Sequence, residues 1–292
     1  MFFRQSIAHQ QLLSPLEIES KGNIYMQQNL RLRNWKDKVL LAFSALMIVC
    51  CPTAALADPP AGNWQLKFSD DFNGSGLDTG KWTPCFYWAP NGCTNGGAGD
   101  LQWFSPNNVS VGGGILRLRA ERKPSNGLNY TSGMIASHDK FAFQYGYVEF
   151  RAKVPKGNGF WPTLWLLSQN KNWPPEIDVA EFVGSNTNNV HMTIHYKNGS
   201  GAHESSSGWW GGIDFSGGYH TYGLLWEADK LVWYVDGVER RRYTNSGNIP
   251  DEAMYVTATL ALGKAWTNSP PDNSTPLPNN LEIDHIKVWQ RN

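Results

Sequence analysis

From residue 64 to residue 290 the chain breaks into short runs in which apolar and polar residues alternate, separated by clusters of Gly, Pro, Asn and Ser. A two-residue period marks a strand with one buried face. Trp64-Gln65-Leu66-Lys67-Phe68 opens the series, and Ile115-Leu116-Arg117-Leu118-Arg119-Ala120 repeats it with basic residues on the outer side. The same reading predicts strands over 147–154, 161–167, 190–196, 219–226, 231–235, 254–261 and 281–289. Asp236-Gly237, between Val235 and Val238, is a hairpin turn by composition. No long amphipathic helix is predicted after residue 57, and neither a repeat nor a second domain. Such a run of strands with long loops predicts an all-β jelly-roll sandwich of two antiparallel sheets, one concave and therefore a cleft.

One run carries charge where its neighbours carry neutral residues: Pro174-Pro175-Glu176-Ile177-Asp178-Val179-Ala180-Glu181-Phe182. Alternation puts Glu176 and Asp178 on one face and Ile177 and Val179 in a core. Glu181 is out of phase by one, and a β-bulge in Val179-Ala180 would return it to the acidic face. Three carboxyls on one strand suit glycoside hydrolysis, where one carboxylate attacks the anomeric carbon and a second group protonates the leaving oxygen. Asp178 between the two glutamates would raise the acid's pKa by like-charge repulsion. On the strand pattern alone, a solvated outer face or a calcium site explains the same residues.

Aromatic residues make up 13% of the chain, more than one core needs, so some rings are expected to line the cleft and stack on sugar faces. Trp103, Trp161, Trp165, Trp209, Trp210 and Trp266 are the candidates. Formal net charge is zero and no basic stripe occurs after residue 57, which points away from nucleic acid and membrane partners and toward a neutral polysaccharide. A monomer is expected.

Residues 1–57 read as a signal peptide region. Arg31, Arg33, Lys36 and Lys38 precede an apolar run over 39–49, and Ala55-Leu56-Ala57 forms a small-x-small cleavage site. Met26 is a candidate true start, and 58–292 is then a single secreted domain, extracellular or periplasmic. Export leaves Cys85 and Cys93, which can close a short disulfide loop and are too few for a structural zinc site.

The whole stretch resembles glycoside hydrolase family 16, which includes laminarinases, lichenases, agarases, carrageenases and bacterial exopolysaccharide glycanases. Glu176-Ile-Asp178-Val-Ala-Glu181 is similar to the longer, bulged form of its Glu-x-Asp-x-(x)-Glu motif. Asp70-Asp71-Phe72-Asn73-Gly74, Leu101-Gln102-Trp103, Gly159-Phe160-Trp161-Pro162 and Ile283-Asp284-His285-Ile286 fall in the family's order. The resemblance implies a retaining endo-β-glycanase with no cofactor needed for catalysis. Glu176 would be the nucleophile, Glu181 the acid/base, and Asp178 would tune them. Trp161 would flank the cleavage subsite, with Trp165 one strand period on, and His195 would face the cleft. Asp284, with Asp71, would hold a structural calcium.

Departures bear on substrate. Met134 stands where laminarinase-like members carry Arg, Pro175 where Gly is usual, and Lys264 where Gly is usual. The wording around the carboxylates is more similar to the exopolysaccharide glycanases. The resemblance therefore implies β-1,3 or mixed β-1,3/1,4 linkages of a glucan or glucose-rich exopolysaccharide. The alternatives are a galactan hydrolase, whose sulfated substrates call for Arg or Lys near the cleft, and a non-catalytic carbohydrate-binding protein on the same sandwich.

Overall fold

The computed structural model describes residues 59–89, 93–94, 99–263 and 267–292, with 93 and 94 described by backbone alone. Residues 1–58, on which the signal-peptide expectation falls, together with Trp266, Lys264 and the Cys93 side chain, lie outside the described residues. Cys85 is disulfide-bonded.

In chain order the strands are β1 (Trp64–Asp70), β2 (Cys93–Thr94), β3 (Gln102–Phe104), β4 (Val109–Gly112), β5 (Ile115–Ala120) and β6 (Tyr130–Ser132). There follow β7 (Met134–Ala136), β8 (Ala142–Phe143), β9 (Gly146–Lys153), β10 (Phe160–Ser168), β11 (Glu176–Val183) and β12 (Asn186–Lys197). The last six are β13 (His203–Gly211), β14 (His220–Trp226), β15 (Leu231–Val235), β16 (Val238–Tyr243), β17 (Met254–Leu262) and β18 (Asn279–Arg291). One sheet runs β16-β15-β14-β9-β18-β5-β4, with β1 also on β18; the other runs β13-β12-β11-β10-β17-β7, with β8 on β17. Both are antiparallel throughout, as the sequence predicts. The jelly-roll sandwich is the fold of the molecule.

The alternating residues of the two inner faces meet in one core. Val148, Phe150, Tyr222, Leu224, Trp233 and Ile286 from the first sheet pack against Leu164, Leu166, Ile177, Met192, Ile194 and Val256 from the second. The Asp236-Gly237 hairpin has positive φ at both residues, +50° and +74°, as a type I′ turn requires.

Several strands were not anticipated, among them the short β4, β7 and β8. A third sheet, β2-β3-β6, contains the parallel pair β3–β6 beside the long Gly-rich loop. Its strands are two or three residues long, too short for a period to register. Strand β13 was not anticipated either, because His203-Glu-Ser-Ser-Ser-Gly208 has no apolar member. At the edge of the sheet it has a neighbouring strand on one side only, so polar residues are tolerated on both faces.

The bulge in β11 is held from the opposite sheet. The Trp233 indole, fully buried, donates from Nε1 to the main-chain carbonyl of Asp178 at 2.9 Å. A bulge leaves backbone groups without ladder partners, and a buried orphan carbonyl costs about as much as a lost hydrogen bond. Trp233→Phe keeps the ring and deletes the donor. It should lower stability by about 1–3 kcal/mol, measured by urea unfolding, and should reduce turnover further than the loss of folded protein accounts for.

Candidate active site

Strand β11 places its carboxyls by parity and one inserted residue. Ile177, Val179, Ala180 and Phe182 all enter the core, while Glu176, Asp178 and Glu181 line a cleft of about 680 Å³ on the other face. Against β10, Asp178 pairs with Trp165, Ala180 with Leu164 and Glu181 with Thr163, so Val179 is the extra residue. Against β12, Asp178 faces Thr193 and Glu181 faces His191, three residues against two. The bulge expected in Val179-Ala180 is present and does what parity required.

Each glutamate accepts a hydrogen bond from a different indole. Trp173 Nε1 donates to Glu176 Oε2 at 2.8 Å, and Trp161 Nε1 donates to Glu181 Oε1 at 2.6 Å. His195, paired with Glu176 across β11 and β12, puts Nε2 at 3.3 Å from Asp178 Oδ2 and 3.7 Å from Glu176 Oε1. Its other nitrogen lies 2.9 Å from His203 Nε2 on β13. The exposed Trp173 ring leans over both imidazoles, nearest His203 at 4.6 Å between centroids.

Burial pushes the pKa of all three carboxyls above the usual carboxylate range. The Asp178 charge pushes Glu176 and Glu181 higher still, and the indole donors and His195 oppose this. Hydrogen bonding with Glu176 opposes the rise at Asp178. Three negative charges do not fit one desolvated site, so protons are retained there. His195 lies on the Glu176–Asp178 side and favours negative charge at that end. One ionised and one protonated glutamate, held by the same strand, can perform attack and proton donation.

The structure brings Glu176, Asp178, Glu181, Trp161, Trp165 and His195 together in the cleft. Trp103 is half-buried on β3 and is not among the residues lining this cleft; its neighbour Phe104, on the opposite face of the strand, is. Asp284 and Asp71 each have basic partners. Asp284 bonds Arg151 at 2.8 Å through one oxygen and His285 at 2.9 Å through the other, and Asp71 bonds Lys287 at 2.7 Å. Both Asp284 oxygens are therefore engaged by the protein itself, which does not fit an open oxygen cage for calcium. Among the described residues, Glu176, Asp178 and His195 are the group spaced to hold a metal, within 4.8 Å of one another. A cation there would sit on the carboxyls of the β11 cluster.

Sequence reasoning missed Phe86, Tyr87, Trp88 and Trp173, which come from loops rather than strands. Phe86 stacks on Trp88 at 4.2 Å and meets Trp165 edge to face at 6.0 Å. Met134, found where an Arg was expected, is buried in a small hydrophobic cluster with Phe86, Phe104 and Tyr255. The cleft wall at that point is therefore apolar.

The profile described as Glycosyl hydrolases family 16 matches residues 100–278. Endo-1,3-1,4-beta-glycanase EglC of Rhizobium meliloti (strain 1021) is 36% identical over 241 residues, covering 76% of this chain and 51% of EglC. The chain spans about half the length of that relative and of Endo-1,3-1,4-beta-glycanase ExsH from the same organism. Beta-glucanase of Rhodothermus marinus is 29% identical over 270 residues, 84% of this chain and 92% of its own. Among solved structures, the catalytic domain of an endo-1,3-beta-glucanase (laminarinase) from Thermotoga petrophila RKU-1 superposes with a TM-score of 0.70 at 29% identity, over 79% of this chain and 99% of that one.

The raised carboxyl pKa values have a stability consequence. A group whose folded pKa exceeds its unfolded value favours the native state most where it is protonated, and that advantage is lost as pH rises through the folded pKa. Glu176→Gln cannot ionise, so it should melt higher than the wild type at neutral pH, by roughly 2–4 °C for each 1 kcal/mol relieved. The difference should shrink to nothing in acid, below the unfolded carboxylate range. Equal melting temperatures across that pH range, by calorimetry, would show that Glu176 is not held in a desolvated, like-charged site.

Proposed function

Because the chain belongs to glycosyl hydrolase family 16, we propose that it is a retaining endo-β-glycanase cutting internal β-1,3 or mixed β-1,3/1,4 linkages of a glucose-rich polysaccharide. The observation that carries this reading is the bulged strand that sets Glu176, Asp178 and Glu181 in one cleft, with an indole donor on each glutamate. Relatives named as endo-1,3-1,4-beta-glycanases and beta-glucanases support the polymer class. The charged and apolar pattern of residues 31–57 supports export.

In the first step Glu176 attacks the anomeric carbon while the bond from that carbon to the leaving oxygen breaks, and Glu181 gives its proton to that oxygen. The cut chain leaves, and a glycosyl ester on Glu176 remains. In the second step Glu181, now a base, takes a proton from water as the water oxygen displaces Glu176. Two inversions return the original anomeric configuration. Asp178 raises the proton affinity of both glutamates. His195, fixed by His203, supports negative charge at the same end.

Reducing-end release from laminarin, lichenan and a bacterial glucose-rich exopolysaccharide tests the reading. Glu176→Gln should lower turnover at least about a thousandfold with the fold retained. Wild-type turnover that persists in this variant would sink the assignment. For Asp178→Asn, one source of the upward push on Glu181 disappears, so the alkaline limb of the kcat/KM profile should move to lower pH. Turnover at the optimum should fall about 10- to 100-fold. An alkaline limb that stays in place would remove Asp178 from the control of Glu181.

A further inference from the structure

Strand β13 closes the concave sheet on the β12 side, and its side chains divide sharply by face. Ser205 and Ser207 line the cleft. Trp210, of opposite parity, turns inward: its ring meets Phe215 at 5.9 Å and lies under the Arg240 guanidinium at 3.8 Å. Trp209 shares the parity of Ser205 and Ser207, so it belongs to the cleft face. It is 65% exposed, more than any other large hydrophobic residue among those described.

Register places this ring in relation to the chemistry. Trp209 pairs with His191 across β13 and β12, and His191 pairs with Glu181 across β12 and β11. Cross-strand partners share a face, so Glu181, His191 and Trp209 form one row, with Trp209 two strand spacings, about 10 Å, from Glu181. The platform is held from behind. Arg241 donates from Nη2 to the Ser206 carbonyl at 3.1 Å and to its hydroxyl at 2.9 Å, and the side chain runs so close beneath Gly208 that a Cβ there would meet it at 2.6 Å. An exposed tryptophan on an edge strand invites association unless something covers it. A rigid, exposed indole beside an acid/base glutamate is suited to one occupant, the apolar face of a sugar ring.

We propose that Trp209 is the stacking platform for a sugar on the leaving-group side of the cut, and so for the acceptor when a second sugar replaces water. This rests on the glycanase reading above, in which Glu181 protonates the leaving oxygen. That oxygen belongs to the first sugar of the departing chain, so the chain begins next to Glu181 and continues along its row. Trp88 and Trp173, the other two strongly exposed tryptophans among the described residues, line the enclosed part of the cleft. Trp209 lies beyond its rim, where a polymer continues rather than where it is cut.

The test compares two substrates with the same sugars on the glycone side. One is a nitrophenyl β-glucan oligosaccharide, whose leaving group ends near Glu181; the other is the unmodified, longer oligosaccharide, whose leaving group is a sugar chain. Trp209→Ala should lose about tenfold in kcat/KM on the second and change less than twofold on the first, and Trp209→Phe should recover most of the loss. Equal loss on both substrates, or no loss on either, overturns the proposal. So does a wild type that elutes as a dimer and becomes a monomer in Trp209→Ala, since the ring is then covered by a second copy. A wild type inactive on both substrates and on polymer overturns the glycanase reading itself, a result distinct from each of these.

Discussion

The hydrogen bond from the Trp233 indole to the Asp178 carbonyl is the contact on which the site depends. Three carboxyls reach one face of β11 only because Val179 interrupts the ladder, and an interrupted ladder inside a sandwich leaves main-chain groups facing a core that cannot solvate them. The opposite sheet supplies the missing donor. A single side chain of β15 thus joins the two sheets, satisfies the bulge and fixes the backbone from which Asp178 projects into the cleft. The core here does more than exclude water: it sets the direction of reacting groups on the far side of a strand.

The crowding of those groups is costly to the fold and useful to the reaction for the same physical reason. Burial and like charge oppose ionisation, so the cluster retains protons near neutral pH, which the proposed proton donation requires. The indole donors of Trp161 and Trp173 limit the cost without removing it, because each donates to an oxygen that either protonation state presents. One donor comes from a neighbouring strand and the other from the loop just before β11, so the two glutamates are held by separate parts of the chain.

Features that depend on a period or on a local turn were legible in the sequence: the main strands, the Asp236-Gly237 hairpin, the acidic face and its bulge. Each is fixed by neighbours a few residues away. Features that depend on what a residue meets across the fold were not. Trp103 sits in a pattern that fits either face, and the direction of β3 was set by pairing with β6, far along the chain. Trp173 lies in a proline-rich loop without a period, yet it donates to Glu176. His203 opens a serine-rich edge strand whose place beside β12 follows only from the sheet's closure. Met134 could be seen to differ from the family's Arg, but the hydrophobic cluster around it could not.

The charge of the cleft walls is one-sided. The described residues lining it include Asp100 and the three carboxyls of β11 and neither Lys nor Arg. A polymer segment carrying sulfate, succinyl or uronate groups would bring negative charge into a desolvated trough already crowded with acid, with no cation along the described walls to meet it. A neutral stretch of the same backbone suffers no such repulsion. Among the described walls, like-charge repulsion would therefore oppose an anionic group and leave a neutral one unopposed.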